Sequence, residues 1–167
     1  MKKLFITTVI GPISPGIIKS LAEVTRSFAG EWLTSKVIKV DGHFSAMMKV
    51  AIAPEAEAEL KAKFESEFTA LRFFFDDVVT AAETVSTALH LTLDCGDRAG
   101  LTRDIVDVLS NLDLVIEHME FNRVHVSTIG QTVFSSTLNL AIPEGISTES
   151  VVELLEGVSE DARVSIL

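Results

Sequence analysis

"CGDRAG", residues 95–100, joins an apolar run, "ALHLTL" (88–93), to an amphipathic one, "LTRDIVDVL" (101–109). That succession encodes a strand, a sharp glycine turn and the start of a helix, a junction at which many α/β proteins hold small anions. "GPISPG", residues 11–16, occupies the same relative place near the start of the chain, between "LFITTVI" and "IIKSLAEV".

The two stretches belong to a repeat. With Gly16 set on Gly100, the residues Ile17, Leu21, Val24 and Phe28 fall on Leu101, Ile105, Val108 and Leu112. Each set marks one apolar face of a helix. Further along, "KVAIAP" (49–54) corresponds to "NLAIP" (139–143), each closing a strand before another helical stretch. The chain therefore reads as two tandem domains, residues 1–80 and 86–167, joined by a connector around "TAAETVS" (80–86).

Each copy has the order strand, helix, strand, strand, helix, strand. In the first, Ser14 is expected to cap the helix and Pro15 to open it, because proline lacks only an N–H that would be unpaired there. Asp41-Gly42 between "WLTSKVIKV" and "HFSAMMKVAIA" is a two-residue hairpin signal. "PEAEAELKAKFESEF" is helical with Leu60, Phe64 and Phe68 inward, and "LRFFFDDVV" is the last strand. In the second copy, Leu89, Leu91 and Leu93 alternate against His90, Thr92 and Asp94, and a longer hairpin turns through 128–131. Ser147 should cap the final helix and Gly157 should end it. The order βαββαβ is the ferredoxin-like arrangement, α+β, with two helices on one face of an antiparallel sheet. The opposite face should alternate polar and apolar. Phe73, Phe74 and Phe75, with Met47 and Met48, break that alternation. Either the strands twist locally, or the back of the first sheet packs against the second copy or a second chain.

The 167 residues carry a formal net charge of −10, which argues against direct binding to a nucleic-acid backbone. One cysteine permits no internal disulfide. The N-terminal "MKKLFITTVIGP" resembles a weak signal peptide, but glycine and proline end its apolar run early and no cleavage site follows. No stretch reaches the length of a membrane span, so a cytoplasmic protein is expected, in contact with neither membrane nor nucleic acid.

A βαββαβ unit with a G-x-D-R-P-G style turn after its first strand resembles the ACT domain, a small module that senses amino acids and regulates enzymes and transcription. Two units filling an acidic chain with no catalytic domain attached resemble, within that family, the repressors of the glycine cleavage system. In the second copy Asp97 and Arg98 match the family's acidic–basic pair, with Ala99 where proline is usual. In the first, Gly11, Pro15 and Gly16 are kept but Ile13 and Ser14 stand where Asp and Arg would. The resemblance implies an amino-acid site at Gly96, Asp97, Arg98, Ala99 and Gly100, with Asp97 facing an ammonium and Arg98 a carboxylate. A weaker second site is implied at Gly11, Ile13, Ser14 and Gly16. The residues also allow a plain reading, in which Asp97 caps the helix and Arg98 is solvated. The resemblance further implies a homodimer that binds glycine or a similar amino acid and represses transcription through a DNA-bound activator protein. The same fold and loop would equally suit an amino-acid-sensing regulatory subunit of a biosynthetic enzyme, or a structural tandem whose loops have lost their ligand.

No catalytic arrangement is legible. Cys95 sits at a helix start, which would lower its pKa, but His90 on the same strand cannot turn to serve as its base. His118 and His125 should point to opposite faces of an unbulged strand, and His43 and His90 offer no metal-ligand spacing. Glu55, Glu57, Glu59, Glu65 and Glu67 read as a solvated helix face. No phosphate loop or dinucleotide fingerprint occurs. Neither cofactor nor metal is expected.

Overall fold

The computed structural model describes residues 1–80, 82 and 84–167. The first repeat forms β1 (Lys3–Pro12), α1 (Ile17–Ser27), β2 (Glu31–Val40), β3 (His43–Ile52), α2 (Glu57–Glu67) and β4 (Arg72–Asp77). The second forms β5 (Ser86–Gly96), α3 (Leu101–Asn111), β6 (Val115–Val126), β7 (Gln131–Pro143), α4 (Thr148–Glu156) and β8 (Arg163–Ile166). The sheets are antiparallel, with strand orders β2-β3-β1-β4 and β6-β7-β5-β8, the ferredoxin-like α+β arrangement. The chain divides into units Met1–Ala81 and Ala82–Leu167. Residues 81 and 83 of the connector expected at 80–86 lie outside the described residues.

Alternation builds each core. On β1, Phe5, Thr7 and Val9 are buried; on β5, Leu89, Leu91, Leu93 and Cys95 are. Leu21 and Val24 of α1, and Ile105 and Leu109 of α3, close over them. Leu60, Phe64 and Phe68 are inward as their spacing predicts, and Phe64 stacks on Phe73 with centroids 5.2 Å apart. The three consecutive phenylalanines divide as a flat strand requires. Phe73 and Phe75 pack into the helix side, whereas Phe74 on the other face is 52% exposed. Met48 is buried and Met47 is 54% exposed in the same manner.

The repeat extends to backbone detail. At one constant offset, Gly16 (φ 76°) matches Gly100 (φ 81°), and Ala29 (φ 55°) matches Asp113 (φ 53°). The edge strands carry matching irregularities, between Trp32 and Thr34 and between Ile116 and His118. Asp41 takes a positive φ in the tight β2–β3 turn.

Two local expectations are corrected. Gly16, not Ser14, is the N-cap of α1, and no side chain caps that helix. The chain needs a left-handed residue to leave β1 and enter the helix, and glycine adopts it without steric cost. Ser14 is left two residues upstream, where its carbonyl accepts from Ile17 N–H (3.3 Å). Glu57 is not part of a solvated face. Its carboxylate meets Lys3 of β1 at 2.7 Å and also Lys61, and these bonds hold it below the usual carboxylate range. By contrast, Ser147 caps α4, accepting from Ser150 N–H (3.2 Å), and Gly157 terminates it.

Candidate functional site: the strand–glycine–helix loops

The second-unit loop, 95–100, is tied down on three sides. Gly96 N–H donates to Asp161 Oδ2 at 2.7 Å. A Cβ at position 96 would lie 2.9 Å from that oxygen, so a larger residue there would push the Asp161 carboxylate aside. The Ser159 hydroxyl, then the Gly96 amide, lower the pKa of Asp161. Asp97 N–H donates to the Thr132 carbonyl in the β6–β7 hairpin (2.9 Å). Beyond it, Gly100 starts α3 in the left-handed conformation with no side-chain cap. Helix-start N–H groups without a side-chain acceptor present donors and partial positive charge to an anion.

The Asp97 and Arg98 side chains diverge. Asp97 accepts from Arg123 Nε at 3.0 Å, and the same guanidinium reaches Thr102 Oγ1 at 3.3 Å. Arg123 also lies over the rings of Phe121 and Phe134, 5.2 and 5.3 Å from their centroids. Arg98 donates to Asp104 Oδ2 at 2.7 Å and to the carbonyls of Val158 and Ala99. It thereby fastens the start of α3 to the segment after α4, and it lowers the pKa of Asp104. An open groove of about 430 Å³ beside Arg98 is lined by Asp104, Val108, Glu153 and Leu154. Asp97 therefore does not cap α3, and Arg98 is not simply solvated. The loop is a charged junction whose guanidinium groups, Arg98 and Arg123, flank the helix start. Arg123, Asp104 and Asp161 were not legible in advance as members of this junction. Arg123 alone left a signal: it stands at an inward position of β6, paired with buried Phe134, where alternation calls for an apolar residue.

The first-unit loop repeats the backbone without the charges. Ile13 N–H donates to the Gly42 carbonyl at 2.9 Å, the counterpart of Asp97 and Thr132. Gly11 is pressed against Leu71, and a Cβ there would come within 2.5 Å of that side chain. Ile13 is 40% exposed, and Ser14 and Gly16 complete the turn. Lys39 replaces Arg123, facing Phe44 as Arg123 faces Phe134. No acidic group stands in this loop.

Cys95 is buried, and burial raises its thiol pKa, so the helix start does not activate it. His118 and His125 fall on opposite faces of β6. Among the described residues no three His, Cys, Asp or Glu side chains gather as a metal site, and no helix is long and apolar enough to cross a membrane.

With this geometry in view, residues 3–75 match the family model of the ACT domain. The first unit is an ACT domain. The fold of the whole chain is similar to that of a protein of Galdieria sulphuraria described only as unknown (TM-score 0.86, 17% identity, covering 100% of this chain and 99% of that one). A protein described as a "putative glycine cleavage system transcriptional repressor" is similar over 100% of this chain and 98% of its own (TM-score 0.74, 10% identity). At these identities the likeness is one of fold. No curated protein matches the chain significantly in sequence.

Proposed function

We propose that this tandem ACT protein is a non-enzymatic regulator that represses transcription of the glycine cleavage system by binding a DNA-bound activator, in response to glycine or a related amino acid. The observation that carries the reading is the paired loop: one backbone, twice, ending in an uncapped helix start, with charged partners for an amino acid only in the second unit. Asp97 would face the ammonium and the Arg98 side the carboxylate, with Gly96, Ala99 and Gly100 letting the ligand approach the backbone. Gly11, Ile13, Ser14 and Gly16 would form at most a weaker site. Because Arg98 already holds Asp104 and the Val158 carbonyl, ligand binding there would exchange internal bonds for external ones. Such an exchange gives the ligand different affinities for two arrangements of the loop, which regulation requires. The protein would act in the cytoplasm as a homodimer. Exposed Phe74, Met47 and Ile38, on the face of the first sheet away from its helices, supply apolar surface for a second copy.

A reporter fused to a glycine cleavage promoter tests the proposal in cells with and without the protein. Repression that changes with added glycine and needs the activator is expected. Unchanged transcription in every condition would remove the role. Co-purification with a biosynthetic enzyme whose feedback inhibition the protein confers would replace it with the regulatory-subunit reading.

A further inference from the structure

The opposite end of α1 from Gly16 holds a cleft. It measures about 280 Å³ and is lined by Ala22, Thr25, Arg26, Gly30, Glu31 and Trp32. The repeat supplies an internal control for this corner. Gly30 N–H bonds to the Thr25 carbonyl as Leu114 N–H bonds to that of Leu109, so the two corners share one backbone. In the second unit the positions of Thr25, Gly30 and Trp32 hold Leu109, Leu114 and Ile116, and those of Arg26 and Glu31 hold Ser110 and Val115. Leu109 and Leu114 are buried in the core cluster. The fold can therefore close this corner with ordinary apolar side chains. In the first unit Thr25 takes up the space that a Cβ on Gly30 would enter (2.9 Å), and Arg26 and Glu31 put a charge of each sign at the cleft beside it.

The cleft is rigid on its inner side. Thr25, 1% exposed, donates its hydroxyl to the Leu21 carbonyl (2.9 Å) and accepts from Trp32 Nε1 (3.0 Å). Both indole orientation and hydroxyl direction are fixed by that pair, and the indole forms an apolar wall. Among the described residues, the Arg26 side chain has no hydrogen bond or ion pair, and Glu31 bonds only to exposed Lys2 at 3.3 Å. Two opposite charges thus line one small cleft without pairing to each other. The carboxyl end of α1 also ends here, and its partial negative charge favours a cation beside Glu31.

We infer that this corner of the first unit is a binding site for a free α-amino acid with an apolar side chain. Arg26 takes the carboxylate, Glu31 and the end of α1 take the ammonium, and the side chain rests on the Trp32 indole. At about 280 Å³ the cleft lies just below the usual pocket range of about 300–1,000 Å³, which suits a small ligand. The site lies about 16 Å along α1 from the Gly16 loop, from the rise of an eleven-residue helix, and it does not depend on the loop reading.

The protein contains one tryptophan, so its fluorescence reports this cleft alone. The intact protein is titrated with L-leucine, L-phenylalanine and, as an uncharged control, N-acetyl-leucine amide. A saturable change with the free amino acids and none with the amide is expected. Arg26→Gln and Glu31→Gln, both at exposed positions, should each weaken the response about tenfold or more, as loss of a charge-assisted bond does. Arg26→Lys should retain part of it. No response to any free amino acid, or a response unchanged in Arg26→Gln, overturns the site. Calorimetric binding that persists in Arg26→Gln belongs to the loops, so failure here and failure of the loop proposal read differently.

Discussion

The two units trace the same backbone with different chemistry at both ends of their first helix. At the helix start, the second unit has a network of Asp97, Arg98, Asp104, Arg123 and Asp161, while the first has Ile13, Ser14 and a glycine packed on Leu71. At the helix end the contrast reverses: the first unit has Arg26, Glu31 and Trp32 around a cleft, and the second has Leu109 and Leu114 in its core. The shared features are those a βαββαβ fold needs: alternating strands, left-handed residues at 16 and 100 and at 29 and 113, and edge-strand irregularities. The differing features are those a fold can do without. The difference teaches that the frame is repeated and the function is not.

The largest effect sharpens the contrast between cores. The first unit is packed around Phe5, Phe44, Phe64, Phe68, Phe73 and Phe75, whereas the second relies on leucine. Phe64→Ala removes a fully buried ring stacked on Phe73 and should cost about 3–5 kcal/mol in urea unfolding. A cost under about 1 kcal/mol, within the range of a surface change, would show that this stack does not support the unit.

The next effect tests the shared frame. Gly16→Ala and Gly100→Ala meet no atom within 4 Å, so only the positive φ opposes them. Each should cost about 1–2 kcal/mol, and the two costs should agree. Markedly unequal values would mean that the two helix starts are not the same device.

Acid tests the charged junctions. Asp104 and Asp161 in the second unit and Glu57 in the first all have folded-state pKa values below their ordinary ones. Depressed carboxylate values contribute stability that is complete above the ordinary pKa, 3.8 for Asp and 4.5 for Glu, and lost as pH falls through the folded value. Thermal unfolding followed from pH 7 downward should therefore hold steady until that range and then fall. Stability that rises on acidification through it would contradict the bonding described. The smallest effect belongs to Thr7, whose buried hydroxyl has no partner among the described residues. Thr7→Val should be neutral or slightly stabilising, since it removes an unsatisfied polar group without changing the side chain's shape.

Much of the fold was legible because it rests on local signals. The spacing of Leu60, Phe64 and Phe68, the alternation of Leu89 to Leu93 and the Ser147 cap each act within a few residues. The Ser14 cap failed because Pro15-Gly16 could be read either as a helix opening or as the turn before it, and only the path from β1 decides. The candidate site was half legible. Asp97 and Arg98 were visible through their motif, but their partners are distant in sequence: Arg123 on β6, Val158 and Asp161 after α4. Glu57 escaped for the same reason, since Lys3 reaches it from another strand. The Trp32 cleft gave no signal, because Thr25, Arg26 and Trp32 line one corner only once the chain turns from α1 into β2 and the indole bonds to Thr25.

Calorimetric titration of the purified protein with glycine tests the central claim most directly, because glycine has no side chain to rest on Trp32. The account predicts saturable binding that is lost in Asp97→Asn and in Arg98→Ala while the circular dichroism stays unchanged. No heat of binding from glycine, serine or alanine, or binding indifferent to both substitutions, would contradict it.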